Sequence, residues 1–504
     1  MKRVNFTADT RRQGVFGVRS LRSFATGMLF LSLLLSTFSI FAQTENPPAP
    51  GTPKSGTIPS VQEKKLGNNL TVAVVEKHSL PIVTVQLLVK SGASNEDASK
   101  AGLADLTASM LTKGTKTRSA TQIAEAIAFL GGSINSGAGW NNSVVTISVT
   151  SDKLDQAMAI MADVVLNPAF DQKELDLLKS QTLDGLTYNL KQPSFLANYV
   201  ASRYSFDEHP AGGTPTSIAS ITQSDVMGFH AANFNPGNAV LIFTGDISVD
   251  TANVTAGKYL GAWKTLKAGI GNRTSDSPTM SPDKEVVKRI LVIDLPNSGQ
   301  ASVNYARDIV RNGRGGSQYY SSNVLNSLLG GGYSSRLNQE IRIKRGLSYG
   351  AWSSFAWRTD RSNFSASAQT KNESAAQVAE LVLIEVKRLT DGTVPDSELT
   401  PRKSVLTGNF GRNLETTGGL AAAVADLYSF GIPTSELNSY SEKVNAIKDS
   451  QIRDFATQNL FGGDVIIVGD YAKFKDDLAK RFPNMKIDVI QAVDLDLSKD
   501  NLRK

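Results

Sequence analysis

The feature that most limits the fold of this 504-residue chain is a repeated plan: its second half follows the order of its first. The closing elements match best. "SITQSDVMGFHAANFNPGNAVLIFTGDI" reads as helix, turn, strand and Gly-Asp, and "AIKDSQIRDFATQNLFGGDVIIVGDYA" reads in the same order. Gly245-Asp246 and Gly469-Asp470 end equivalent strands. Each half opens with two apolar strands, "LTVAVVEK" and "IVTVQLLVKS" in the first, "KRILVIDLP" and "ASVNYARDIV" in the second. A helix and a hairpin-like strand pair follow in both. Next comes an amphipathic helix, "SDKLDQAMAIMADVVLNPAF" or "NESAAQVAELVLIEVKRLTDG", and then a further long helix. Such repetition implies a duplicated domain. The mixture of strands and helices implies an α+β fold: two homologous two-layer α/β sandwiches, each a mixed, mainly antiparallel sheet with helices on one face.

Stretches rich in Pro, Gly, Ser and Thr set the boundaries. Residues 43–66 read as a flexible lead-in, and "KAGIGNRTSDSPTMSPDKE" (267–285) as a linker. The two domains then span 67–266 and 286–485, and 486–504 form a tail without an assigned counterpart.

The net charge of +6 is concentrated at the N-terminus, where Lys2, Arg3, Arg11, Arg12, Arg19 and Arg22 oppose Asp9 alone. The remainder is nearly neutral and carries no basic stripe, so nucleic acid is not an expected partner. The basic start leads into "MLFLSLLLSTFSIFA" and then "QTENPPAP". A charged head and a short apolar run read as a secretory signal over 1–42, cleaved after Ala42, with an uncleaved N-terminal anchor as the alternative. The expected destination is the periplasm of a Gram-negative bacterium, with no stable membrane insertion after cleavage. The chain has no cysteine, which removes disulfides, thiol catalysis and cysteine-ligated zinc.

The stretch "GLADLTASMLTKGT" (102–115) has the form of a catalytic helix without the chemistry. Leu103, Leu106, Met110 and Leu111 recur at helical spacing. Asp105, Ala108 and Ser109 share another face, at the spacing that suits two metal ligands and a base. A methyl group cannot move a proton, a serine is a poor zinc ligand, and one carboxylate alone does not hold a metal tightly. The three histidines, His78, His209 and His230, lie in separate elements and read as turn or surface residues. "GGGYS" is not a phosphate-binding loop, since it lacks G-K-[ST], and no G-x-S-x-G elbow is present.

On these residues the chain resembles the pitrilysin/insulinase metallopeptidases, the inverzincins, over roughly 67–480. Their helix reads G-L-A-H-x-x-E-H, with two His ligands and a Glu that activates zinc-bound water. The resemblance places Asp105 at the first His position, Ala108 at the Glu position and Ser109 at the second His position. The third ligand position, in a helix like "FDQKELDLLKSQTLDGL", falls on Asp184 or Gly185. In the second half, "LLGGGYSSRLNQEIRIKRGLSYGAWSSFAW" (328–357) resembles the family's C-terminal signature, whose Arg and Tyr are matched by Arg342 and Tyr349. On spacing alone, the pair reads as an ordinary helix-end arginine and a strand tyrosine packed in a sheet. The resemblance implies that Arg342 and Tyr349 reach a partner's zinc site and stabilise the developing oxyanion. It also implies a clamshell arrangement around a chamber. "GGSINSGAGWNNSVVTISV" (131–149) corresponds to a strand that pairs with extended peptide, or is a plain hairpin strand.

The expected protein is therefore a non-catalytic, substrate-binding subunit of a heterodimeric, exported zinc metallopeptidase. It would bind no metal itself, and a homologous H-x-x-E-H subunit would supply zinc. The alternative is a non-enzymatic peptide-binding or assembly scaffold of the cell envelope.

Overall fold

The computed structural model describes residues 58–264, 285–499 and 501–504. The segment read as an export signal, most of the lead-in and nearly all of the linker lie outside these residues. The first half contains β1 (Gln62–Lys65), β2 (Thr71–Glu76), β3 (Ile82–Val89), α1 (Leu103–Met110), α2 (Ala120–Phe129), β4 (Ser133–Ala138) and β5 (Ser143–Thr150). It continues with α3 (Leu154–Leu166), α4 (Gln172–Asn189), α5 (Pro193–Tyr204), α6 (Pro215–Ser220), α7 (Gln223–Asn233), β6 (Ala239–Gly245) and α8 (Val249–Leu260). The second half contains β7 (Val287–Asp294), β8 (Ala301–Val310), α9 (Tyr319–Leu329), a π-helical turn (Asn338–Ile343), β9 (Ser348–Trp357) and β10 (Arg361–Thr370). Then follow α10 (Ala375–Arg388), α11 (Asp396–Asn413), α12 (Thr417–Ser429), α13 (Glu436–Ala446), α14 (Asp449–Asn459), β11 (Gly463–Gly469), α15 (Lys475–Arg481) and β12 (Ile487–Gln491). Among the described residues no helix is long and apolar enough to cross a membrane.

The duplicated α+β plan is present, with five strands of each sheet matching in chain order and position. One six-stranded sheet has the order β1-β2-β6-β3-β5-β4 and the other β12-β7-β11-β8-β10-β9. The pairs β2–β6 and β7–β11 are parallel, and the pairs from there to β4 and β9 are antiparallel. The outermost strand is recruited differently in each half. β1 precedes its sheet, within the stretch read as lead-in, and pairs antiparallel with β2. β12 comes from the stretch read as tail and pairs parallel with β7. Gly245, at the end of β6, shows why the paired Gly-Asp endings matter. Its φ is +122°, and a Cβ there would lie 2.1 Å from the Ile82 carbonyl oxygen.

Strand alternation explains the layers. Val83, Val85, Leu87 and Val89 of β3 face the first half's own helices. The opposite face, formed by Ala73, Val75, Leu88, Val240 and Ile242, is also apolar. It packs on Leu420, Ala421, Val424 and Ala425 of α12, a helix of the second half. The converse holds for the second sheet: Leu291, Ile293, Ala306, Ile466 and Val468 join Leu196, Ala197 and Val200 of α5 in one cluster. Each sheet thus has its own helices on one face and, on the second, chiefly one helix of the other half. The halves of the expected clamshell are therefore closely packed against each other along this seam.

Polar contacts fix the seam. Thr417 accepts from Thr244 through its carbonyl (2.8 Å), and its hydroxyl lies 2.8 Å from that of Thr84. Asn304 on β8 donates to Asn198 on α5 (2.9 Å). Glu208, just after α5, accepts two bonds from Arg358 (2.8 and 2.6 Å) and one from Asn363 (2.8 Å). Asp308 lies directly across the ladder from Asn363, and the Oδ1 atoms of both are buried without a partner. The other oxygen of Asp308, Oδ2, accepts from Arg361 at 3.2 Å. Burial, together with the Glu208 and Asp360 charges, pushes the Asp308 carboxyl up to about 6 against the pull of Arg361 and Arg307.

The sign of the pH effect follows. A carboxyl raised in the folded state keeps its proton where the unfolded chain has lost it. Stability from this group is complete below the ordinary carboxylate value and is lost as pH rises through about 6. Chemical denaturation should show wild type losing on the order of 2 kcal/mol between pH 4.5 and 7.5 relative to Asp308→Asn. Parallel pH profiles of the two proteins would contradict this account.

Candidate functional site

α1 begins without a capping side chain of its own. Glu96 supplies the cap from a distance: its carboxylate accepts from the backbone N–H of Gly102 (2.8 Å) and Ala104 (2.6 Å), satisfying two donors that the helix start leaves open. Glu96 is buried, and His209 Nε2 lies 3.1 Å from its Oε1. Leu103, Leu106, Met110 and Leu111 are buried, so the helix keeps its packing face.

Of the three chemical positions of α1, Asp105 is engaged through its side chain, and Ala108 and Ser109 through their backbone carbonyls. Asp105 is half-buried and accepts from the Ala138 N–H of β4 at 3.4 Å. Burial pushes its carboxyl upward against that bond. Ala108 is 0% exposed, and its carbonyl accepts from the Ser136 hydroxyl at 2.7 Å. Ser109 is half-buried, and its carbonyl accepts from Thr112 at 3.3 Å. Asp184 and Gly185 lie exposed on α4. A zinc site needs three or four converging nitrogen, oxygen or sulfur ligands. A carboxylate turned to a backbone N–H, a sealed methyl, a serine and an exposed Asp or Gly do not fit that requirement. Among the described residues no group of three or more metal-ligating side chains comes together.

The histidines stay apart. His78 is exposed beside Asp246 (2.8 Å) and Glu76. His209 is held by Glu96 and packs on the Trp140 ring. His230, expected at a turn or surface, packs between Phe170 and Phe234 within α7 and contacts the Val165 carbonyl. Burial holds its imidazole down to about 4.

The second motif has a different character. The glycine-rich turn after α9 is clamped by α11. Arg336 makes two bonds to Glu398 (both 2.8 Å), and Arg402 donates to the Ser334 carbonyl. Buried Asn338 donates to the Tyr333 carbonyl and accepts from Ala351 N–H at 3.3 Å. Arg342 lies in the π-helical turn, a rare conformation that recurs at functional sites. Its guanidinium sits 4.9 Å from the Tyr333 ring centre. Lys344 and Arg345 pair with Glu340, whereas among the described residues no carboxylate lies within ion-pair distance of Arg342. Gly346, at φ +62°, reverses the chain, and its N–H donates to the Arg342 carbonyl at 2.9 Å.

Tyr349 follows near the start of β9 and is 89% exposed. A one-residue register slip explains its presentation. Ala351 pairs with Ala368, but Ser348 pairs with Thr370, which places a bulge around Tyr349 and Gly350. Trp352, on the same edge strand, is exposed and leans over Gly350. Tyr333, Trp352 and the capping Glu96 were not singled out by sequence pattern. Aromatics beside a Gly-rich turn are the one loose signal in the sequence for the first two.

Two equivalent domains, one with a degenerate metal helix and one with an Arg/Tyr turn, define a peptidase-like protein in which no metal-ligand cluster comes together among the described residues. The chain belongs to the insulinase family, peptidase family M16, as an inactive member. Residues 71–202 match the sequence model described as insulinase (peptidase family M16), and 220–406 match the peptidase M16 inactive domain. A Helicobacter pylori protein named non-peptidase homolog YmxG is 25% identical over 406 residues, covering 77% of this chain and 89% of that one. An uncharacterized zinc protease of Rickettsia felis is 25% identical over 351 residues, covering 68% and 82%. The crystal structure of a peptidase M16 inactive domain from Pseudomonas fluorescens superposes with a TM-score of 0.72 at 26% identity, covering 81% of this chain and 98% of that one.

Elemental analysis of the purified chain after dialysis against micromolar zinc should find well under one ion per chain. Stoichiometric zinc that is lost on Asp105→Ala would contradict the geometry of α1.

Proposed function

We propose that this chain is the non-catalytic subunit of an exported heterodimeric zinc peptidase. A homologous subunit carrying H-x-x-E-H and zinc is its partner, and a peptide is the shared substrate. In this reading Arg342 and Tyr349 enter the partner's active site, bind the substrate carbonyl and donate to the oxyanion that forms on it. Arg342 brings a permanent charge and Tyr349 a single hydrogen-bond donor, the two kinds of group that stabilise a developing negative oxygen.

The presentation of this pair is the observation that carries the reading. Tyr349 is 89% exposed on a bulged edge strand, and Arg342 rests on an aromatic ring with no acidic partner among the described residues. Leaving a large aromatic exposed and an arginine without a counter-charge brings the isolated chain little stability. Such side chains suit a surface that meets something else. The periplasm is the proposed location, from the basic and apolar start of the sequence.

Co-expression with the zinc-bearing relative from the same genome tests this. The pair should co-purify and cleave unfolded peptides, while either chain alone should not. Arg342→Ala and Tyr349→Phe should each lower kcat by roughly 10²–10³ without dissociating the pair, the usual effect of removing an oxyanion donor. Wild-type turnover in both variants would refute the assigned role. Recovery only with structural envelope proteins would support a scaffold instead.

A further inference from the structure

The two outer strands, β4 and β9, occupy equivalent positions in their sheets but offer different edges. β4 pairs only with β5, so alternate residues turn their backbone N–H and C=O outward. Gly139 donates to the Asn142 carbonyl across the hairpin (2.8 Å), which sets the phase. Ser133, Asn135 and Gly137 face β5, while Ile134, Ser136 and Ala138 face outward. The outward N–H of Ala138 is the one that reaches Asp105 Oδ1.

β9 shows what a closed edge looks like in this fold. Its outward N–H groups at Ala351 and Ser353 donate to Asn338 Oδ1 (3.3 Å) and the Gly330 carbonyl (3.2 Å). Two successive outward positions are thus taken by the glycine-rich turn and the π-helical turn. On β4 one position is taken, by one side chain, and among the described residues nothing outside the sheet accepts from the next two, Ile134 and Ser136. β4 reads "SINSGA", whose small and polar side chains leave the backbone as its main offering. Backbone pairing is how an extended peptide joins a sheet edge.

We propose that Asp105 is a cap on the β4 edge that limits an extended peptide to pairing at Ile134 and Ser136. Removing the carboxylate frees the Ala138 N–H and lengthens the pairing surface by one position. A residue at a lost metal-ligand position thereby acquires a positioning role. The inference rests on the peptide-binding reading above. It differs from it in locating a control point on this chain's own edge.

Two measurements on the mature chain separate the claims. In hydrogen exchange, the Ala138 amide should exchange about tenfold faster in Asp105→Ala than in wild type. Asp105→Asn, which keeps an acceptor oxygen, should restore protection, and the Gly137 amide should not change. In fluorescence anisotropy, a labelled eight-residue peptide of alternating threonine and valine should bind Asp105→Ala at least fivefold more tightly than wild type. The same peptide N-methylated at alternate residues should lose that gain. Unchanged Ala138 protection in Asp105→Ala overturns the cap, as does a peptide gain that survives N-methylation. Faster Ala138 exchange with no peptide binding by any variant at millimolar concentration instead overturns the peptide-binding reading beneath it.

Discussion

The helix exchange along the seam is the contact on which the rest of the structure depends. Without α12, the face formed by Ala73, Val75, Leu88, Val240 and Ile242 would meet water; without α5, so would that of Leu291, Ile293, Ala306, Ile466 and Val468. The hydrophobic effect therefore ties each sheet to the half that did not build it. This fixes the two domains as one platform within the chain. It also decides what remains available. With both faces of each sheet covered and β1 and β12 closing one side, β4 and β9 are the outer strands beside the two motifs.

The motifs use these edges in opposite ways. α1 lies beside β4 and bonds to it at two of its three motif positions: Asp105 accepts from Ala138, and the Ala108 carbonyl accepts from Ser136. At β9 the effort goes the other way. Arg336, Arg402 and Asn338 hold the glycine-rich turn, and the bulge re-aims Tyr349 into solvent. A chain that had lost all function at both places would have no evident reason to keep an exposed tyrosine and an arginine without an acidic partner beside such a well-fastened turn.

Much of this was legible from the residues. The duplicated order was readable because strand and helix periodicities recur in the same sequence in both halves. The chemistry of α1 was readable because a methyl at position 108 rules out proton transfer whatever surrounds it. The helix exchange was less so, although it left a trace. "TVAVVE" and "AVLIFTG" are apolar at both parities, as strands buried on two faces must be. The second cover came from "GGLAAAVADLY", a small-residue helix far away in sequence, and nothing local identifies its target. β12 was missed for the same reason: "IDVIQ" becomes a strand by pairing with β7, a contact between distant residues. The Glu96 cap, the Tyr333 ring under Arg342 and the bulge at Tyr349 also arise from tertiary placement, which spacing does not encode.

The central claim is that Arg342 and Tyr349 act inside another subunit's zinc site. The most direct measurement is photo-crosslinking from a benzoylphenylalanine placed at position 349 in the cell, with the adducts mapped by mass spectrometry. The account expects crosslinks to the H-x-x-E-H helix of a zinc-bearing relative, enhanced by a non-hydrolysable peptide inhibitor. Crosslinks confined to this chain, or to envelope proteins without a zinc motif, would contradict it.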